Sequence, residues 1–83
     1  MLTIYTTNDC VFCTKAKVLL NDNKIEYLDV MLDTPDKKKD FKKRTGLKTV
    51  PQVYVSSTGH HIGGYEDLRA LEKSGELRNI LGN

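Results

Sequence analysis

The first thirty residues change their hydrophobic period twice, and this change constrains the fold more than any other feature. The segment "LTIYTT" (2–7) is β-branched and alternating, which is typical of a strand. A helical stripe follows, whose apolar members recur at helical spacing: Phe12, Ala16, Leu19 and Leu20. The segment "IEYLDV" (25–30) is strand-like again. Such a strand, helix, strand unit favours two parallel strands joined by a right-handed crossover.

The middle of the chain predicts a second helix followed by a hairpin. Thr34 is a predicted N-cap, Pro35 suits the first helical position, and Gly46 is a natural C-cap. Residues 51–57 alternate like a strand, and "SSTGHH" offers a turn into a short strand around residues 61–62.

The last segment, residues 63–81, is predicted to be helical, with a kink or split at "SG" (74–75). Its predicted buried positions are Leu68, Leu71, Leu77, Ile80 and Leu81. The element order is therefore β-α-β-α-β-β-α, which predicts an α/β fold with a four-stranded mixed sheet and three helices. We expect one domain over residues 1–83, since this length supports a single small core.

Composition excludes several classes of protein. Charged residues make up 29% of the chain and the formal net charge is only +2, so no strong attraction to nucleic acid is expected. The apolar runs are too short to span a bilayer. The start "MLTIYTTNDC" lacks the basic stretch and apolar run of a secretory signal. We therefore expect a cytoplasmic monomer in a reducing compartment.

Both cysteines, Cys10 and Cys13, lie at the junction between the first strand and the first helix. The positive end of a helix dipole stabilises a thiolate there, and Lys15 and Lys17 add positive charge. Asp9 opposes this charge if its carboxylate points at the sulfur, whereas as an N-cap it would point into the helix backbone. Cys10 is then the predicted nucleophile. Cys13, one turn further in and less exposed, is the predicted resolving thiol of a disulfide exchange reaction.

Two other interpretations of the cysteine pair are weaker. A purely structural disulfide would close too small a loop to stabilise the fold much. A zinc site needs two more ligands, and the only histidines, His60 and His61, are neighbours that a strand would point to opposite faces. No metal is therefore expected.

Three motifs in order resemble the glutaredoxin family, within the thioredoxin-like fold. These are "IYTTNDCVFC", "TVPQVYV" and "IGGYEDL", which together extend over nearly the whole chain. The resemblance implies a glutathione-dependent oxidoreductase that reduces protein disulfides and glutathione mixed disulfides, with glutathione as reductant. Proteins with disulfides, ribonucleotide reductase among them, are the implied partners.

The resemblance also implies a glutathione site around the dithiol and a cis Val50–Pro51 peptide bond. Backbone groups of Val50 would pair with the cysteine of glutathione. The helix start after the glycine pair would hold its γ-glutamyl end, with Asp67 at the α-amino group. The implied binding residues are Phe12, Lys38, Thr49, Val50, Pro51, Gly64, Tyr65, Glu66 and Asp67.

The chain departs from the family pattern at two positions. Val11 stands where many relatives have proline, and Thr7 where many have a lysine that contacts the glycyl carboxylate. Lys38 on the second helix is the expected substitute for that lysine. Thr7 keeps open a glutaredoxin-like thioredoxin fed by a reductase. A [2Fe–2S] carrier, with Cys10 of two chains and two glutathiones as ligands, is the other alternative.

Overall fold

A computed structural model, in which residues 1–81 are described, has the predicted order of elements. Its strands are β1 Leu2–Thr6, β2 Tyr27–Met31, β3 Gln52–Val55 and β4 His61–Gly63. Its helices are α1 Val11–Asp22, α2 Pro35–Thr45, α3 Tyr65–Ser74 and α4 Glu76–Ile80. None of the helices within residues 1–81 is both long enough and apolar enough to cross a bilayer.

The four strands form one mixed sheet in the order β2-β1-β3-β4. Strands β1 and β2 are parallel, with Leu2 opposite Tyr27. Strand β3 runs antiparallel to both β1 and β4, and a register irregularity lies between Val53 and Tyr54. The crossover from β1 to β2 and the hairpin from β3 to β4 are both confirmed.

Alternate residues of the strands point to opposite faces of the sheet, and helices cover both faces. Residues Leu2 and Ile4 point to the face covered by α1, α3 and α4, where the main core lies. Tyr5 points to the other face and packs against Phe41 of α2, with ring centroids 4.6 Å apart. The buried core members are Leu2, Ile4, Ala16, Leu20, Val53, Val55, Leu68 and Leu77.

One boundary differs from the expectation, and the predicted division of the last helix is confirmed. β2 begins at Tyr27 because the chain is still turning at Lys24, which has a φ of 55°, and the Ile25 N–H donates to Leu20 O at 2.9 Å. The last helix is split into α3 and α4 at Gly75, whose φ of 81° interrupts the helical path. Of its predicted buried positions, Leu68 and Leu77 are buried, and three are partly buried against the core: Leu71, Ile80 and Leu81.

Helix α2 has the predicted caps at both ends. The Thr34 hydroxyl accepts a hydrogen bond from the Lys37 N–H at 3.2 Å, and Gly46 adopts the left-handed conformation with a φ of 75°. Only Phe41 of this helix is buried, so its ends rather than its packing keep the basic stretch helical.

Substituting Thr34→Ala is expected to lower the free energy of unfolding by about 1 kcal/mol, because one N–H of the first turn loses its partner. Urea denaturation followed by far-ultraviolet circular dichroism measures the loss. The matched variant Thr34→Ser keeps the acceptor oxygen and should retain nearly all the stability. Equal losses in the two variants would show that the hydroxyl does not cap α2.

Candidate active site

The strand directions bring three segments that are distant in sequence to one edge of the sheet. Cys10 follows β1, the Val50–Pro51 pair precedes β3, and Gly64 follows β4. Because β3 is antiparallel to both β1 and β4, its beginning lies beside their ends. The three motifs therefore meet, although about forty residues separate the first from the second.

Direct contacts join these segments. The Cys10 Sγ atom lies 3.8 Å from the Val50 carbonyl oxygen. Gly64 lies so close to Pro51 that a Cβ on Gly64 would be 3.5 Å from the Pro51 oxygen. The rings of Phe12 and Tyr65 are 5.8 Å apart between centroids, which links the start of α1 to the start of α3.

The two cysteines form a disulfide at the start of α1, with their Cα atoms 5.2 Å apart. Cys13 is buried, with 2% of its surface exposed, whereas Cys10 is partly exposed, as expected. Cys10 is the N-cap of the helix, and its Sγ accepts a hydrogen bond from the Cys13 N–H at 3.1 Å. After reduction, the same N–H and the helix dipole favour the Cys10 thiolate.

Of the two alternatives for Asp9, the capping role is not observed. Asp9 has a φ of 57° and is exposed in the turn before Cys10, whose extended backbone (φ −108°, ψ 105°) places sulfur in the capping position. The nucleophile itself therefore receives the hydrogen bond that a capping carboxylate would otherwise take.

The expected positive charges at the dithiol are only partly free. Lys17 lines a cleft that both cysteines share, but its Nζ pairs with Asp29 Oδ2 at 2.5 Å. Asp29 also accepts a hydrogen bond from the Thr6 hydroxyl at 2.6 Å. Lys15 instead extends over the Phe12 ring, with Nζ 5.2 Å from its centroid. At the start of α1, the Cys13 N–H donates to Cys10 Sγ and supplies positive potential there.

The segment before β3 has the cis Val50–Pro51 bond that the resemblance implies. Pro51 is buried, Val50 is partly exposed and Thr49 is exposed. The side-chain Nε2 of Gln52 donates to both the Thr49 carbonyl oxygen, at 3.0 Å, and the Thr49 hydroxyl, at 3.1 Å. The buried side-chain amide of Gln52 thus holds the backbone just before β3, beside the dithiol.

Sequence reasoning missed the support that Gln52 and His61 give to this segment. Gln52 is 5% exposed, and its Oε1 lies 2.7 Å from His61 Nε2, while the His61 ring stacks on Tyr54. A polar residue directly after the Thr-Val-Pro motif, at an inward strand position, was the available signal. Among residues 1–81 no group of three or more His, Cys, Asp or Glu side chains is arranged to hold a metal ion.

The turn into α3 is built around two glycines and a carboxylate. Gly63 is buried with a φ of 125°, and Gly64 is the helix N-cap. The Gly64 N–H donates to Asp67 Oδ2 at 3.1 Å, so this carboxylate lies at the helix start. Tyr65 is partly exposed and Glu66 is exposed in the same turn, where free N–H groups can receive an anion.

On the α2 side, a cleft of about 530 Å³ reaches the site. Lys38 lines it together with Thr7, Thr49 and Val50, so Lys38 and Thr7 border the same cleft. The helical stripe would place Phe12 in the core, and the resemblance would place it in the glutathione site. Its side chain is 51% exposed and lies outside the core. Among the predicted binding residues, Val50 contacts Cys10 directly, and Lys38 and Thr49 line a cleft that Val50 also borders.

Comparisons with known proteins agree with this geometry. The family model "Glutaredoxin" matches residues 2–62. A glutaredoxin of Pseudomonas aeruginosa is 37% identical, over 94% of this chain and 92% of its own.

Solved structures agree as well. The solution structure of a Brucella melitensis glutaredoxin is 36% identical with a TM-score of 0.79, over 96% of this chain and 86% of that one. A buckwheat glutaredoxin–glutathione complex is 26% identical with a TM-score of 0.82, over 98% and 76% of the two chains. The dithiol at a helix start, the cis-proline segment and the glycine turn, together with these matches, place the chain in the glutaredoxin family of thiol–disulfide oxidoreductases.

Proposed function

We propose that this protein reduces protein disulfides and glutathione mixed disulfides with electrons from glutathione. The observation that carries the proposal is the convergence of the dithiol with Val50–Pro51 and the Gly64 turn at one sheet edge. A related chain, the buckwheat protein, is solved as a glutathione complex. Family members use glutathione as reductant, which supports the same reductant here.

A mixed disulfide requires only Cys10. Its thiolate attacks the glutathione sulfur, the protein thiolate leaves, and a Cys10–glutathione disulfide remains. A second glutathione thiolate then attacks this disulfide at the glutathione sulfur, which forms oxidised glutathione and restores the Cys10 thiolate. The hydrogen bond from the Cys13 N–H to Cys10 Sγ stabilises the thiolate at both ends of the cycle.

A protein disulfide uses both cysteines. Cys10 attacks one substrate sulfur and releases the other as a thiolate. Cys13, deprotonated, then attacks Cys10, expels the second substrate thiolate and closes the Cys10–Cys13 disulfide present in the structure. Two glutathiones reopen this disulfide and leave as oxidised glutathione. Two electrons pass to the substrate in each turn.

We assign glutathione an extended position across the site. The Val50 N–H and C=O pair with its cysteine backbone, as in the addition of one strand residue. Its γ-glutamyl carboxylate lies at the start of α3, near Tyr65 and Glu66, and its amino group at Asp67. Its glycyl carboxylate lies toward Lys38 and Thr49, and Phe12 flanks the peptide. Pro51 and Gly64 form the floor.

The direct test compares electron sources. We expect sustained reduction of a small mixed disulfide with glutathione, glutathione reductase and NADPH. We expect little turnover when thioredoxin reductase replaces glutathione and glutathione reductase. The opposite result would assign the chain to the reductase-fed class that Thr7 keeps open.

A charge-only change at the γ-glutamyl end gives a second test. Asp67→Asn is expected to raise the KM for glutathione about tenfold and leave kcat nearly unchanged, because a charge-assisted hydrogen bond is lost. Asparagine still offers an oxygen to the Gly64 N–H, so the helix cap is retained. Steady-state kinetics measure the effect, with Glu72→Gln on the same helix as a matched charge control. An unchanged KM would remove Asp67 from the glutathione site.

A further inference from the structure

All the basic side chains of α2 and its flanks except Lys43 fall into two groups. Lys37 Nζ pairs with Asp33 at 2.8 Å and holds the pKa of that carboxyl below its ordinary value. Arg44 Nε pairs with Asp40 at 3.1 Å. The other group has no ion pair within residues 1–81 and lines one cleft: Lys38, Lys39, Lys42 and Lys48.

We call this space the cationic cleft. Its volume is about 530 Å³, and four lysines surround apolar side chains that include Leu32, Phe41 and Leu47. Within residues 1–81, no acidic side chain lines it. One end is formed by Thr7 and Val50, and the Val50 carbonyl oxygen is 3.8 Å from Cys10 Sγ. The cleft therefore begins at the nucleophile and extends away along α2.

The opposite end of the site carries the other sign of charge. Glu66 and Asp67 are both exposed in the first turn of α3. A chain segment held across the dithiol would thus run from an acidic end to a basic one. Glutathione would bring only one carboxylate to the basic end. Four lysines can pair with more negative charges than that.

We propose that the preferred protein substrate carries acidic residues immediately C-terminal to the cysteine that Cys10 attacks. The proposal rests on the proposed function, because the glutathione orientation assigned above sets the chain direction: the glycyl side is C-terminal to cysteine and faces the cleft. Carboxylates would pair with the lysines, and an apolar side chain would contact the floor. A nucleic acid fits less well, since Phe41 is 3% exposed and offers no stacking surface.

The test uses three one-cysteine peptides, each as its symmetric disulfide dimer. One has three glutamates C-terminal to cysteine, one has them N-terminal, and one has glutamines in both places. In the Cys13→Ser variant, Cys10 attacks one sulfur, the second peptide leaves as a thiolate, and a Cys10–peptide disulfide accumulates. Its rate of formation, followed by mass spectrometry, measures docking without any glutathione.

We expect the peptide with C-terminal glutamates to react about tenfold faster than the other two at low salt, since several exposed ion pairs each contribute modestly. Raising the salt concentration should shrink the difference. The added triple change Lys39→Gln/Lys42→Gln/Lys48→Gln should abolish the preference. The control Lys24→Gln/Lys37→Gln/Lys43→Gln removes equal charge outside the cleft and should preserve it.

Equal rates for the two glutamate peptides would overturn the proposal, as would equal losses in the cleft and control variants. Turnover of the unsubstituted protein with glutathione, on the glutamine peptide, is measured separately. Absence of that turnover would contradict the proposed function, whereas normal turnover without any sequence preference would contradict only the acidic substrate.

Discussion

Replacing Cys10 with serine is expected to lower turnover by more than about 1,000-fold with every disulfide substrate, because the step that begins each cycle loses its nucleophile. A serine hydroxyl at the same helix start stays protonated near neutral pH and does not form disulfides. The backbone should tolerate the change, since serine is itself a preferred N-cap and can accept the Cys13 N–H. Coupled assays with a small mixed disulfide and with a protein disulfide measure the loss.

Cys13→Ser is the matched control for that result. Cys13 is buried, and in the mechanism proposed above it acts only when an enzyme–substrate disulfide is resolved from within. We therefore expect the variant to retain turnover of glutathione mixed disulfides and to lose most reduction of protein disulfides. Activity that survives Cys10→Ser, or an equal loss of both activities in Cys13→Ser, would contradict the assigned roles.

Gly63→Ala is expected to destabilise the fold by about 3 kcal/mol, the largest loss expected for a glycine-to-alanine change within residues 1–81. Gly63 is buried with a φ of 125°, a backbone angle that residues with a side chain rarely adopt. An added Cβ would also overlap the carboxylate of Asp67, which holds the Gly64 N–H at the start of α3. The strain therefore falls on the turn that we assign to glutathione. Urea denaturation measures the loss of stability.

Gly59→Ala separates backbone strain from the steric clash. Gly59 also has a positive φ, 75°, but its Cβ would meet nothing within 4 Å, so we expect a loss of about 1 kcal/mol. The double variant Gly63→Ala/Asp67→Ala removes the clashing carboxylate and should cost less than the sum of the two single changes. Equal losses for Gly59→Ala and Gly63→Ala would show that contact with Asp67 contributes nothing.

Local signals were sufficient for most of the secondary structure. Thr34, Pro35 and Gly46 bound α2 as predicted because caps act on hydrogen bonds within one turn. Gly75 divides the last helix for an equally local reason, its positive φ. The start of β2 was two residues off, because Ile25 is held by a hydrogen bond to Leu20 that alternation does not reveal.

Local signals failed where the contact partner is distant in sequence. Asp9 looked like the N-cap, yet the approach of the chain from β1 gives that position to Cys10. Lys17 looked like a free charge beside the dithiol, but β2 brings Asp29 to it. The support that Gln52 gives to Thr49, and receives from His61, depends on the pairing of β3 with β4.

The sequence by itself determined the order of elements, the pair of thiols at the start of the first helix, and the motifs that surround them. These depend on spacing, on backbone preference and on thiol chemistry, which are properties of a few neighbouring residues. Only the tertiary structure decided that the dithiol, Val50 and Gly64 meet at one sheet edge, and that four lysines of α2 and the segment after it line a cleft leading from Cys10. Strand direction and helix packing determine which faces and ends come together, and no local pattern specifies that.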